Sequence, residues 1–177
     1  TVIVPADARQ TWHAALATER LDGPCYIRLG GKFAEPNVTA IEADFQIGKA
    51  EQLRPGGDIT VIAAGCMVAP ALATADALAA SGVGVRVLNM HTIKPLDRDA
   101  VLRAAAETGA IVTAEEHRAS GGLGGAVAEL LAQEQPTAMR LVALPDEFAI
   151  VGPTGKVREH YGLTEASITK ACRELLG

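Results

Sequence analysis

The chain has 177 residues, of which 49% are hydrophobic and 21% charged, enough for one full domain with an appendage around a packed core. A net charge of −5, a pI near 5.4 and the lack of any Lys/Arg stripe argue against nucleic acid as a partner. No run approaches the ~18 apolar residues of a membrane span, and no basic-apolar-small pattern at the N-terminus reads as a signal peptide.

Aromatic residues make up only 3%, so Ala, Val, Leu and Ile must fill the core, which suits helices laid closely on a sheet. Cys25 and Cys66 fall in predicted strands and Cys172 in a predicted helix. Isolated and odd in number, they read as small buried hydrophobes in a reducing compartment rather than as disulfides. The chain begins at Thr1, and its first residues read as the end of a preceding unit, so a truncated or processed piece is expected.

Thr1 to Val4 is a β-branched run stopped by Pro5. Asp7 then caps a predicted helix with Trp12, Ala15 and Leu16 as its apolar stripe, and Gly23-Pro24 ends that unit. Cys25 to Leu29 reads as a strand, closed by Gly30-Gly31. The weakly patterned stretch up to Phe45, with Pro36 and Asn37, reads as an interdomain connection. A short strand at Ile47 to Leu53 precedes the turn Arg54-Pro-Gly-Gly57.

The pattern then becomes regular. Ile59 to Ala64 is a continuous apolar strand, and Met67 to Ser81 a helix with Val68, Leu72, Ala75 and Ala79 on one face and Gly82 as its stop. Val83 to Met90 is a strand, Asp97 caps a helix running to Thr108 that Gly109 ends, and Ala110 to Ala114 is another buried strand. Gly121 to Glu134 is helical, with Leu123, Val127, Leu130 and Leu131 on one face. Met139 to Leu144 is the next strand, and Thr164 caps a last helix whose inner face is Ile168, Ala171 and Leu175. Strands apolar on both faces, alternating with helices, predict a mostly parallel sheet covered on both sides: a doubly wound, three-layer α/β/α domain.

Several residues carry possible chemistry. The run Gly121-Gly-Leu-Gly-Gly125 lies between a strand and a helix, where backbone N–H groups can hold a diphosphate. The dinucleotide spacing fails, because Val127 stands where a third small residue belongs, and close packing of the helix is the favoured reading. Glu115-Glu116-His117 follows a strand end, the usual place for ligands in such sheets. Side chains alternate along an extended backbone, so three consecutive residues cannot converge on one substrate. No second cluster completes a metal site, and a loop hydrogen-bond network, at an interface, is the favoured role. His91, just past another strand end, reads as a satisfied loop histidine ahead of a ligand contact. Cys66 lacks a placed histidine partner and is not expected to act as a nucleophile.

The stretches Val4-Pro-Ala-Asp-Ala8 and Gly23-Pro-Cys-Tyr-Ile-Arg-Leu-Gly30 resemble the end of the pyrimidine-binding domain of transketolases. Ile47-Gly-Lys-Ala50 and Ile59 to Gly65 look like the entry to their C-terminal domain. Arg86-Val-Leu-Asn-Met-His-Thr-Ile-Lys-Pro-Leu-Asp97, Ile111-Val-Thr-Ala-Glu-Glu-His117 with Gly121-Gly-Leu-Gly124, and Tyr161-Gly-Leu-Thr164 are similar to the split, two-subunit type. The resemblance covers essentially the whole chain and is specific in combination.

It implies a five-stranded, transketolase C-terminal domain-like fold at residues 57–177, a linker and entry strand at 33–56, and a remnant of the pyrimidine-binding domain at 1–32. The strand of that remnant is expected to present an unpaired edge. The implied activity of the intact protein is transfer of a two-carbon ketol unit between sugar phosphates with thiamine diphosphate and Mg²⁺, neither held by this segment. The segment is expected to be inactive alone, cytoplasmic and part of a dimer or other homo-oligomer, with a separate N-terminal transketolase subunit as a possible partner. A deoxyxylulose-phosphate synthase, the beta subunit of a 2-oxo acid dehydrogenase, or a stand-alone anion-binding module are the alternatives. In the family an arginine that contacts the substrate phosphate follows Ile-Arg-Leu-Gly, whereas here Gly31 and then Lys32 follow. Either Lys32 substitutes as a point charge, with Arg28 the inner arginine of the motif, or the phosphate site is weakened.

Overall fold

The computed structural model describes residues 1–30 and 35–177. Its N-terminal part holds β1 (Val2–Ile3), α1 (Ala8–Thr18) and β2 (Tyr26–Ile27). Asp7 caps α1 through the Gln10 amide, as its sequence position predicts. The expected apolar stripe does not face inward: Trp12 is 67% and Leu16 52% exposed, Ala15 is exposed too, and Gln10 and Ala14 are the buried residues. The helix turns its small face to this chain and leaves its large apolar face uncovered.

Then follow β3 (Glu51–Arg54), β4 (Ile59–Ala63), a 3-10 turn (Gly65–Met67), α2 (Val68–Ala79), β5 (Val85–Asn89) and β6 (Thr92–Lys94). After these come α3 (Arg98–Thr108), β7 (Ala110–Arg118), α4 (Leu123–Glu134), β8 (Ala138–Leu144), α5 (Thr154–His160) and α6 (Glu165–Leu176). Asp97 and Thr164 cap α3 and α6 through the amides of Ala100 and Ser167, and Gly109 ends α3 in the left-handed conformation that a residue without Cβ adopts cheaply.

The main sheet has five strands in the order β3-β5-β4-β7-β8. All its pairs are parallel except β3 with β5. This is the doubly wound, three-layer fold that the strand–helix alternation predicts. Alternate side chains of the inner strands feed two cores. Ile59, Val61 and Ala63 of β4 pack with Val68, Ala71, Ala75 and Leu78 of α2 and with Ile168, Ala171 and Cys172 of α6. Ile62 lies on the opposite face with Val101 and Ala104 of α3 and Leu123, Val127 and Leu131 of α4. Ala79, expected on the buried face of α2, is exposed; Leu78 takes its place.

The Cys25–Leu29 stretch, expected to present an unpaired edge, finds a partner on one side as β2 and remains the edge of its sheet on the other. β1 pairs in parallel with β2 and antiparallel with β6, giving a second sheet in the order β2-β1-β6. β6 follows β5 and was not legible as a strand because it is short and ends at Pro95. It sews residues 1–30 to the main unit, and Val4 donates its amide to the His91 carbonyl at 2.7 Å beside it. Among the described residues, no helix is long and apolar enough to cross a membrane.

Candidate functional site

In a doubly wound sheet the crevice forms at the carboxyl ends of the two strands where the winding reverses. Here those strands are β4 and β7, since β5 lies on one side of β4 and β7 on the other. A cleft of ≈ 100 Å³ opens there, lined among others by Ala64, Glu115, Glu116, His117, Gly121 and Gly122. Val2, Val4, Tyr26 and Arg28 form the facing wall. The chain's own N-terminal sheet therefore closes the crevice from above.

Glu115, Glu116 and His117 do not lie in a loop, as the sequence suggests, but on the extension of β7 to Arg118. Strand geometry accordingly turns the neighbouring side chains of Glu115 and Glu116 to different partners. Glu115 is buried and accepts hydrogen bonds from the amides of Leu123 and Gly124, each at 2.7 Å. A fixed carboxylate thus stands where a helix N-terminus would draw a phosphate. The glycines serve this arrangement. Gly121 has φ +78, and a Cβ on Gly122 would collide with the Glu115 carboxylate. A Cβ on Gly124 would lie 2.6 Å from Leu141 Cδ2 and 2.9 Å from Thr113 Oγ1, so α4 rests directly on β7 and β8. Glycine-rich spacing here provides close packing and an internal cap. With the Leu123 and Gly124 amides already taken by a carboxylate, this helix start as it stands does not fit a diphosphate. Among the described residues, no group of three His, Cys, Asp or Glu side chains could hold a metal ion.

Glu116 points the other way. Its Oε2 accepts from the Cys66 thiol at 3.3 Å and lies 3.7 Å from Nη1 of Arg28, and its Oε1 accepts from Nε of Arg158 at 3.2 Å. Burial alone would raise its pKa; the bonds from Arg158 and Cys66 and the two guanidinium charges outweigh that and hold it below the ordinary carboxylate value. Arg28 is therefore placed against Glu116, and Lys32, its companion in the sequence reading, lies outside the described residues. His117 is exposed, with Nδ1 3.0 Å from the Arg118 carbonyl.

Burial, reinforced by the Glu116 charge, pushes the Cys66 thiol up to about 12. Burial does the same to Cys172, and all three cysteines are free. Since the thiolate is the reactive form, alkylation at pH 8 followed by peptide mass mapping is expected to label half-buried Cys25 on the order of 100-fold faster than Cys66 or Cys172. Equal labelling of Cys66 would contradict its placement.

His91 lies elsewhere, 2% exposed, with Nδ1 2.9 Å from Thr92 Oγ1 and its ring stacked on Phe45 at 4.2 Å between centroids. Burial pulls its pKa down to about 4, against the opposing charge of Asp97, so it is neutral near pH 7. It borders a separate polar cleft of ≈ 340 Å³ with Gln10, His13, Lys49 and Glu51. The structure thus brings Arg28, Glu115, Glu116, His117, Gly121 and Gly122 to one crevice and leaves His91 outside it. Sequence reading missed Arg158 and Glu35, which carry no local signal because they meet across 123 residues of chain.

Residues 48–168 match the family model of the transketolase C-terminal domain. The chain is 45% identical over 175 residues to a 6-deoxy-6-sulfo-D-fructose transketolase subunit of Clostridium sp. (strain MSTE9), covering 99% of this chain and 54% of that protein. It is 39% identical over 176 residues to one of the subunits of an apulose-4-phosphate transketolase of Phocaeicola vulgatus, covering 99% and 56%. A solved chain described as a split gene transketolase, inactive β4 tetramer, superposes with a TM-score of 0.93 at 40% identity, covering 99% of this chain and 56% of that one. The chain spans about half the length of these relatives. With the same five-stranded fold and the glycine-rich start of α4 turned to packing, the chain belongs to the transketolase C-terminal domain family.

Proposed function

We propose that this chain is the C-terminal part of a transketolase that moves a two-carbon ketol unit between sugar phosphates. The observation that carries this reading is the match along 99% of the chain to two subunits of transketolases. Thiamine diphosphate and Mg²⁺ are held by other parts of the enzyme, in a separate N-terminal subunit where the enzyme is split. The fill of the α4 N-terminus by Glu115 supports this, since the glycine-rich helix start is thereby closed to a diphosphate. In this reading residues 1–32 end a preceding pyrimidine-binding domain, residues 33–56 link it onward, and residues 57–177 form the C-terminal domain. Lys32 supplies a point charge for the substrate phosphate; Arg28 assists, though its charge is shared with Glu116.

The segment is cytoplasmic, inactive alone, and joins a dimer or larger homo-oligomer. Uncovered Trp12 and Leu16 on α1 and Ile41, whose carbonyl lies 2.9 Å from His13 of that helix, support burial of the α1 side in an assembly. The description of the similar solved chain as an inactive β4 tetramer supports both self-association and inactivity without a partner. The test is a calorimetric titration of this chain with thiamine diphosphate and Mg²⁺, paired with a ketol-transfer assay before and after adding an N-terminal subunit. No heat, and transfer only with the subunit present, is the expected result. Stoichiometric binding of the cofactor to this chain would overturn the assignment.

A further inference from the structure

The polar cleft beside His91 is short of hydrogen-bond donors. Glu51, half-buried at the start of β3, lines it. Its Oε2 has two amide groups near it, Nε2 of Gln10 and Nδ2 of Asn89, each at 3.5 Å. Both lie beyond the roughly 2.7–3.2 Å of an ordinary N–H···O bond. Behind it Asn89 is fully buried, with Oδ1 unpartnered. His91, which also lines the cleft, uses Nδ1 on Thr92 and has no partner for Nε2 among the described residues. With Nδ1 donating to the Thr92 hydroxyl, Nε2 is one more acceptor. The charge is short as well. Burial and the nearby Asp7 charge raise the Glu51 pKa against the bond from Asn89. Lys49, the ammonium lining the same cleft, is drawn instead to Asp97 at 3.8 Å and Asp99 at 3.9 Å.

We propose that this cleft, between α1 and the carboxyl end of β5, binds a small organic ammonium ion. The Glu51 carboxylate is its counter-charge, His91 Nε2 its second acceptor, and the Phe45 ring, stacked on His91, an apolar wall for its carbon chain. An ammonium carries three donors and a positive charge on one atom, which is what a group of poorly satisfied acceptors lacks. A metal ion does not fit, since among the described residues no three His, Cys, Asp or Glu side chains converge. An anion would meet the Glu51 charge, and a neutral polyol would bring donors without charge. The place suits a ligand, being at a strand's carboxyl end and between the N-terminal helix and the main sheet. The site shares no residue with the crevice between β4 and β7, and it is independent of the ketol-transfer reading.

The experiment titrates this chain with putrescine, a four-carbon diamine, at neutral pH and constant ionic strength, followed by amide NMR spectra. Saturable shifts are expected in the Gln10 side-chain amide and in the backbone amides of Glu51 and His91. The uncharged diol of the same length should leave these signals in place. Glu51→Gln, which keeps the shape, is expected to weaken putrescine binding at least about tenfold. Glu129→Gln removes the same charge from the exposed side of α4 and should bind within about twofold of wild type. Equal loss in the two variants would reduce binding to attraction by the net charge and overturn the proposal. Binding of the diol as tight as that of the diamine overturns the ammonium class, and no shift at Gln10, Glu51 and His91 overturns the site. Should Glu51→Gln fold poorly, the wild-type spectra with the two ligands still decide.

Discussion

Replacing Glu115 by Ala is expected to destabilise the chain by about 2–4 kcal/mol, because two amide N–H groups at the start of α4 lose their acceptor in a site where water has little access. For a chain of this size that lowers the melting temperature by roughly 5–15 °C, since each kcal/mol shifts it by about 2–4 °C. The same variant tests what the carboxylate displaces. With Glu115 truncated, the helix N-terminus faces the crevice between β4 and β7 with donors unpaired, which is the arrangement that binds anions. Inorganic phosphate is therefore expected to raise the melting temperature of Glu115→Ala and leave wild type unchanged, as required for a ligand that binds only one of two folded proteins. A phosphate-dependent rise in wild type would restore the anion-binding reading. A Glu115→Ala variant as stable as wild type would show that the cap contributes nothing.

The other large effect centres on Asp7. Its buried carboxylate accepts from the amides of Gln10, Val38 and Thr39 and from the Thr39 hydroxyl, all within 2.7–2.9 Å. It thereby caps α1 and pins the 38–39 segment across about thirty residues of chain. Asp7→Ala is expected to cost about 3 kcal/mol in denaturant unfolding, roughly the value of two hydrogen bonds to a charged acceptor. Exchange of the Thr39 amide should quicken in step.

The pH dependence follows from the same contacts. Burial alone would raise the Asp7 pKa, but the amides of Gln10, Thr39 and Val38 and the Thr39 hydroxyl outweigh burial and hold it below the ordinary aspartate value. A depressed folded-state pKa contributes stability that is complete above the unfolded pKa of about 4 and lost as pH falls through the folded value. Wild type should therefore lose stability on acidification from about pH 4 downward. Asp7→Asn should be less stable at pH 7 and show a smaller acid loss. Parallel acid curves for the two proteins would remove Asp7 as the cause.

The elements legible from sequence were those whose evidence is local. Continuous apolar runs mark β4 and the first half of β7, helical periodicity marks α4, and Asp97, Gly109 and Thr164 mark helix ends by their own side-chain or backbone chemistry. Periodicity failed at α1, because Trp12 and Leu16 announce an apolar face without saying whether this chain covers it. It failed more gently at α2, where Leu78 rather than Ala79 turns inward, since both lie near the edge of the stripe.

At the crevice, strand alternation separates the neighbours Glu115 and Glu116, yet it could not say where each goes. Glu115 finds α4 eight and nine residues on, within reach of a local argument. Glu116 meets Arg158 across 42 residues and Cys66 across 50, contacts with no signature in spacing. By itself, then, the sequence determined the layer order of the fold, the ends of its main helices and the family, because propensity, periodicity and motif all act over a few residues. Only the tertiary structure decided that the glycine-rich turn is filled by Glu115 and that Arg158 holds Glu35. Those pairings depend on which strand ends the doubly wound sheet brings side by side, and long-range burial, rather than neighbouring residues, selects the partner of each charge.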